Sequence, residues 1–536
     1  MRKKILFLLF KTCIVGINFF FLMNAQNSVL TYTPTWADDI APIFYNHCTT
    51  CHHTGGIAPF SLIDYNSAFI YRNSIKYDVL NGKMPPWPPD TSYTRFIGER
   101  ILSQQEIQKI VDWVNGGAPQ GNINNAPPAP TYTNTYHLPG TPDLEIKIPQ
   151  YTSKATTYDE YVCFSIPLNN SNLRYIKAVE IVPGNQSIVH HVILTADTSS
   201  SKPSSVTIDT NCYSIPNPKS QIGIAGYDPG AGPVVLPSIS PYKFGIPLYP
   251  NSNLLFQIHY PKGSVGKLDS TKVRLYFYPI NETGIRTVYT LPALYNGNLV
   301  IPPNTIQTFT NECPSSGSYS NCIIPFDFTF LASNPHQHLI GKSIVNFAVS
   351  PNLQDTIKLI RINNWNFNWQ GYYWYKKPIK IPAGYKLVGF HTYDNTSSNP
   401  NNPYNPPDTI KAGYQTTEEM FFDSFVLTYY LPGDENINMD SLMTVSVKEF
   451  YEKQTLKGEL IIYPNPCENY VYVEINRNKV FSVRIRDLSG KVLKDEKVFN
   501  GYNLINLSEL SNGLYFVELW NGSYLEDIKK VVVLKK

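Results

Sequence analysis

Short runs of Val, Ile, Thr and Tyr, separated by Asn, Ser, Gly and Pro, recur along most of the 536 residues. Such punctuation favours strands and turns, and 43 prolines leave little room for long helices. A hydrophobic share of 42% with 16% charged residues provides for ordinary cores in three or four domains rather than a disordered chain. The expected fold class is therefore a mainly β multidomain protein.

The first 25 residues combine a basic start, an interrupted apolar stretch and a small residue at Ala25, the pattern of a secretory signal. Without Arg2, Lys3, Lys4 and Lys11 the formal charge falls from +3 to −1 (3 minus 4), which leaves no electrostatic case for nucleic acid. No later segment is apolar for long enough to span a bilayer.

"NHCTTCHH" holds C-x-x-C-H at Cys48, Cys51 and His52, the spacing at which two thiols attach covalent haem c and the next histidine reaches the iron. "TWADDIAPIFYNHC" reads as a helix leading into it. "LSQQEIQKIVDWVNGGAP" reads as a second, with Ser103 and Glu106 in capping-box spacing and Ile107, Ile110, Val111 and Val114 on one face. Met84 precedes two prolines in "NGKMPPWPPD" and is placed to serve as a sixth iron ligand; its other reading is core filler. His47 and His53 read as surface residues or propionate neighbours. Residues 30–120 resemble a small all-α cytochrome c domain, and a polar, proline-rich linker follows over 121–141.

Histidine clusters at three further places: His190 and His191 in "IVHHVILTAD", His259 in "LLFQIHYPKG", and His336 and His338 in "SNPHQHLIGK". On a strand the H-x-H pair shares one face, whereas the adjacent pair can share an ion only if a bulge or sheet edge turns both side chains the same way. Met420 follows in "YQTTEEMFFDSF". Imidazole suits copper in both oxidation states and a thioether favours Cu(I), while zinc does not normally recruit methionine.

In this order the segments resemble the copper type II ascorbate-dependent monooxygenases. The resemblance implies two jelly-roll-like β-sandwich domains over 142–290 and 291–432, holding two copper ions. His190, His191 and His259 would hold the electron-transfer copper, and His336, His338 and Met420 the copper that activates oxygen. It also implies a disulfide between Cys163 and Cys212, while Cys313 and Cys322 are close enough to close a small loop. Gln257 would orient a ligand or water, or be a solvated strand residue. Asn334, Phe422 and Ser424 stand where the peptidylglycine enzyme has an arginine, an asparagine and a tyrosine, so a C-terminal glycine substrate is not expected. The implied activity is hydroxylation of a C–H bond by O2. Ascorbate or another external reductant would supply electrons, and the fused haem would relay them to the copper at His190, His191 and His259. A haem and copper electron-transfer or surface-binding protein without oxygenase activity is the competing reading.

After a linker over 433–458, "YPNP", "DLSGK" and "GLYFVEL" mark residues 459–536 as a small antiparallel β-sandwich. It resembles the C-terminal sorting domain of type IX secretion, which implies that machinery as a partner and a secreted or surface-bound product. Cys467 has no evident partner there.

Overall fold

The computed structural model describes residues 32–535, apart from 57, 133–137, 139, 213–219, 229–231, 314–323, 444–445, 448–459, 476–480, 500 and 522–523. The signal segment over 1–25 and Cys322 lie outside the described residues.

Four large hydrophobic cores form. The N-terminal one is helical: a π-helical turn, Trp36–Ile40, runs into α1 (Ala41–His47), followed by α2 (Tyr65–Leu80) and α3 (Gln104–Asn115) around Trp36, Phe44, Ile110 and Trp113. The reciprocal box expected at Ser103 and Glu106 caps α3. No sequence pattern announces α2. It buries only Ala68, Ile75 and Val79 while Ile70, Tyr77 and Leu80 face outward, so its apolar residues mark no single stripe.

The two sandwiches are antiparallel in nearly all their pairings. Six strands carry or flank the histidines and the methionine segment: β1 (Glu160–Pro167), β2 (His191–Asp197), β3 (Asn253–Tyr260), β4 (Phe328–His336), β5 (Tyr373–Ile381) and β6 (Phe422–Tyr429). In the first sandwich a five-stranded sheet runs Thr207–Asp209, β1, β3, β2, Gln221–Tyr227. In the second a four-stranded sheet runs Tyr289–Tyr295, β6, β4, β5. This sheet has apolar residues on both faces. Phe421, Phe425 and Leu427 pack into the second core, whereas Ala332 and Val426 pack into the first. Even-numbered positions near the end of β4 and the start of β6 therefore turn toward the first sandwich.

The helical part does not hang on a tether. Residues 87–97 lie along the second sandwich, with bridges Pro89 to Ile362 and Phe96 to Tyr375. Asp90 accepts both Nε and Nη2 of Arg361 at 2.9 and 2.6 Å, and Phe96 stacks on Tyr375 in the second core at 5.4 Å. The segment read as a polar linker is anchored to the parts on both sides of it. Tyr132 stacks on His53 at 4.3 Å, and buried Leu138 donates its N–H to Glu180.

The last core joins Leu460–Tyr463, Tyr470–Ile475 and Gly501–Asn506 in one sheet. Val492–Val498, Phe481–Arg486, Gly513–Asn521 and Tyr524–Val533 form the other, a small antiparallel sandwich with a free, buried Cys467.

Candidate metal and haem sites

His190 lies just before β2 and His191 opens it, directly opposite His259 of β3. Alternation along a strand does not bind a pair that straddles the strand's first residue, so both rings turn inward with neither a bulge nor a sheet edge. The register shift in β2 falls at Leu194 and Thr195 instead, and β2 lies inside its sheet. The His190 N–H donates to the His259 carbonyl at 3.0 Å. Nδ1 of His191 then faces Nδ1 of His190 at 3.4 Å and Nδ1 of His259 at 3.3 Å. One ligating nitrogen from each ring lies within 4.8 Å of the others. Burial, with the neighbouring rings, lowers His190 to about 4 and His191 well below the usual imidazole range. Three rings that each bring one nitrogen this close form a donor set for a borderline or soft cation.

The far nitrogen of His259 is buried without a hydrogen-bond donor or acceptor; its closest charged group is the Asp159 carboxylate at 3.6 Å. Burial works against the charge on Asp159, but His259 and the Lys262 and Thr416 donors outweigh it and hold the carboxyl well below its usual range. Thr416 belongs to the loop that leads to Met420, so one carboxylate links both sites.

At the second site β4 and β6 pair with Asn334 opposite Ser424 and His336 opposite Phe422. His338 and Met420 lie two residues beyond this paired stretch, just past the end of β4 and just before the start of β6. Glu419 ties the two segments: its carboxylate accepts the N–H groups of His338 and Ile340, both at 2.9 Å, and of Met420 at 3.2 Å. Burial pushes Glu419 up to about 8 against these donors. Nδ1 of His336 is bonded to Gln370 Oε1 and Nδ1 of His338 to the Glu418 carbonyl, which leaves each Nε2 for a ligand. Burial lowers His336 to about 4 and His338 to about 3. Half-buried Met420 lines a pocket with Tyr295, Ala412 and Tyr414.

Phe367 stands between the two groups, stacked on His190 at 5.6 Å and 18° and edge-on to His338 at 6.0 Å and 90°. Sequence reading missed Asp159, Phe367, Gln370 and Glu419. Only Glu419, beside Met420, carried a local signal.

In the helical part His52 N–H and Cys51 N–H both donate to the Cys48 carbonyl, closing the C-x-x-C-H turn. The two thiols are free, and burial, with Cys51 beside it, pushes Cys48 up to about 12. Nδ1 of His52 engages the Phe60 carbonyl at 3.1 Å, leaving Nε2 for iron, and burial lowers this ring below its usual value. The thiols and ring fit a covalently attached haem. Met84 is 39% exposed on the loop after α2 and outside the helical core.

Residues 284–455 match the family described as copper type II ascorbate-dependent monooxygenase, C-terminal domain. The chain carries a domain of that family. Residues 461–534 match the secretion system C-terminal sorting domain, so the monooxygenase-type protein is secreted or held at the cell surface. Over 84 residues, 14% of this chain and 84% of the relative, it is 30% identical to cytochrome c6 of Euglena gracilis. Among solved structures, a biofilm-associated protein BSP domain is 9% identical, with 78% of this chain and 84% of that chain covered at a TM-score of 0.15. The infectious bursal disease virus VP2 subviral particle is 11% identical, with 55% and 75% covered at 0.16.

In the first sandwich, Cys163 and Cys212 are joined, with Cα atoms 5.5 Å apart. Cys313 is disulfide-bonded, while the partner expected for it, Cys322, lies outside the described residues. Gln257 neither meets solvent nor turns to the histidines; it is buried and donates to the Cys212 carbonyl at 2.8 Å. Asn334 accepts from Ser424 at 3.2 Å and donates to the Gly371 carbonyl at 3.0 Å, so these positions form a neutral network.

The lowered imidazoles set a pH dependence for the metal-free protein. In the unfolded chain they take protons near ~6.5, before the folded rings do, so folding stability is full above that pH and lost as pH falls toward about 4. The thermal midpoint is expected to drop between pH 6.5 and 5, above the range where most carboxylates titrate. A flat profile there contradicts the burial of these rings as neutral groups.

Proposed function

We propose that this protein is a secreted copper-dependent monooxygenase that hydroxylates a C–H bond of an uncharged substrate with O2, using the fused c-type haem as an electron relay. The observation that carries the reading is the Glu419 carboxylate, which ties the Met420 segment to the H-x-H segment, while both Nδ1 atoms of the H-x-H pair are occupied elsewhere. The donor sets fit copper: three imidazoles in one group, and two imidazoles with a thioether in the other. When bound, copper would supply one-electron chemistry and activation of oxygen.

The chain's own residues do the positioning. Gln370 and the Glu418 carbonyl fix the ring orientations of His336 and His338, Glu419 ties the Met420 segment to the H-x-H segment, and the Asp159 carboxylate lies 3.6 Å from the far nitrogen of His259. Beside the H-x-H pair stand Phe422, Asn334 and Ser424, an uncharged set that favours a neutral substrate over a peptide C-terminus.

The test is oxygen uptake by copper- and haem-loaded protein with ascorbate against a panel of small neutral C–H substrates, with labelled O2 traced into product. The reading predicts one labelled oxygen per hydroxylated molecule. Full metal loading without oxygen consumption across the panel would instead establish the electron-transfer reading.

A further inference from the structure

The segment after Met84 docks along the second sandwich, reaching the first core at Ile97, and it runs beside the loop that touches both histidine groups. Trp87 meets Tyr373 edge-on at 5.8 Å. The Arg100 guanidinium lies between two indoles, 5.9 Å from the Trp87 ring and 5.0 Å from Trp369. Tyr373 OH donates to the Trp369 carbonyl at 3.1 Å, fixing that indole's loop. Two residues before Trp369, Phe367 reaches His190 on one side and His338 on the other. Residues 365 and 370 bind the same loop to the H-x-H strand: Trp365 Nε1 donates to the His338 carbonyl at 3.1 Å, and Gln370 holds His336.

We propose that residues 365–370 are the electron entry to both metal sites, and that Trp87, Arg100 and Trp369 form the contact through which the cytochrome part delivers electrons. This rests on the copper monooxygenase reading above, and it redirects the sequence-based expectation that the haem serves the His190, His191 and His259 group alone. Each transfer removes one electron from ferrous haem, leaving it ferric, and reduces one cupric ion to cuprous; no bond is made or broken and no proton moves. Successive π systems shorten the through-space gaps an electron must cross. The Asp90–Arg361 pair and the buried Phe96 keep the two parts in register, so the contact does not wait on diffusional encounter. A purely mechanical brace would use the same backbone bridges but has no need of an indole on the loop whose Phe367 meets both histidine groups.

The experiment uses the full chain loaded with haem and copper, its haem and metal content measured first. Protein with ferrous haem and cupric sites is generated by rapid photoreduction, and haem absorbance is followed in wild type, Trp369→Ala and Trp369→Phe. Haem oxidation in Trp369→Ala is expected to slow about tenfold, equivalent to ~1.4 kcal/mol, with Trp369→Phe restoring most of the rate. Copper content and ascorbate-driven oxygen uptake, which bypass the haem, should stay near wild type and so separate a lost route from a damaged fold. Equal rates in all three proteins overturn the route while leaving the relay intact. Ferrous haem that persists in fully loaded wild type overturns the relay itself.

Discussion

Replacing His338 with alanine is expected to lower bound copper from two ions per chain to one and to abolish oxygen uptake, with the haem spectrum unchanged. The substitution removes the Nε2 donor and also the Nδ1 contact to Glu418 that ties the H-x-H strand to the Met420 segment. Losing an outer-shell partner typically costs roughly 10–100-fold in metal affinity, and loss of a direct donor exceeds that. His190, His191 and His259 do not depend on this ring for their backbone positions, since they are set by β2 and β3 in the first sandwich. The remaining copper should therefore be the one they hold. Metal analysis with copper EPR checks both statements; a variant that keeps two ions and normal uptake removes His338 from the site.

The second large effect belongs to Glu419, which ligates nothing. Glu419→Ala leaves the N–H groups of His338, Ile340 and Met420 buried without their acceptor. At ~1–3 kcal/mol for each unsatisfied group, the local cost is on the order of 3–5 kcal/mol after partial relaxation. Hydrogen exchange reads it locally: amides 338, 340 and 420 should lose protection together in the metal-free protein, while those of β2 and β3 keep theirs. Glu419→Gln retains one acceptor oxygen and should fall between. Unchanged protection in the alanine variant would mean that the H-x-H strand and the Met420 segment are held by strand pairing alone.

Wherever a constraint was local, the sequence already showed it. The Ser103 capping box acts over a few residues and is found as expected, and the C-x-x-C-H segment closes its turn on the Cys48 carbonyl. The sorting sandwich was legible for the same reason, since its alternating Val471, Val473 and Ile475 all face inward. Non-local features were not legible. Asp159 lies 257 residues from Thr416, and only the fold makes it a link between the two histidine groups. Residues 87–97 read as a proline-rich loop because the edge they cover belongs to strands some 270 residues away. The adjacent histidines posed a sound question with the wrong expected answer: the strand begins between them, and strand ends are the least certain feature of any sequence reading.

The central claim is that Met420 and the H-x-H imidazoles share one copper while His190, His191 and His259 hold another. X-ray absorption at the copper edge of the fully loaded Cu(I) protein tests it most directly, alongside the same measurement on Met420→Leu. The account predicts two coppers per chain and a sulfur scatterer in the wild-type spectrum that disappears in Met420→Leu. A wild-type spectrum with nitrogen and oxygen neighbours only, or a sulfur signal that survives the substitution, would contradict it.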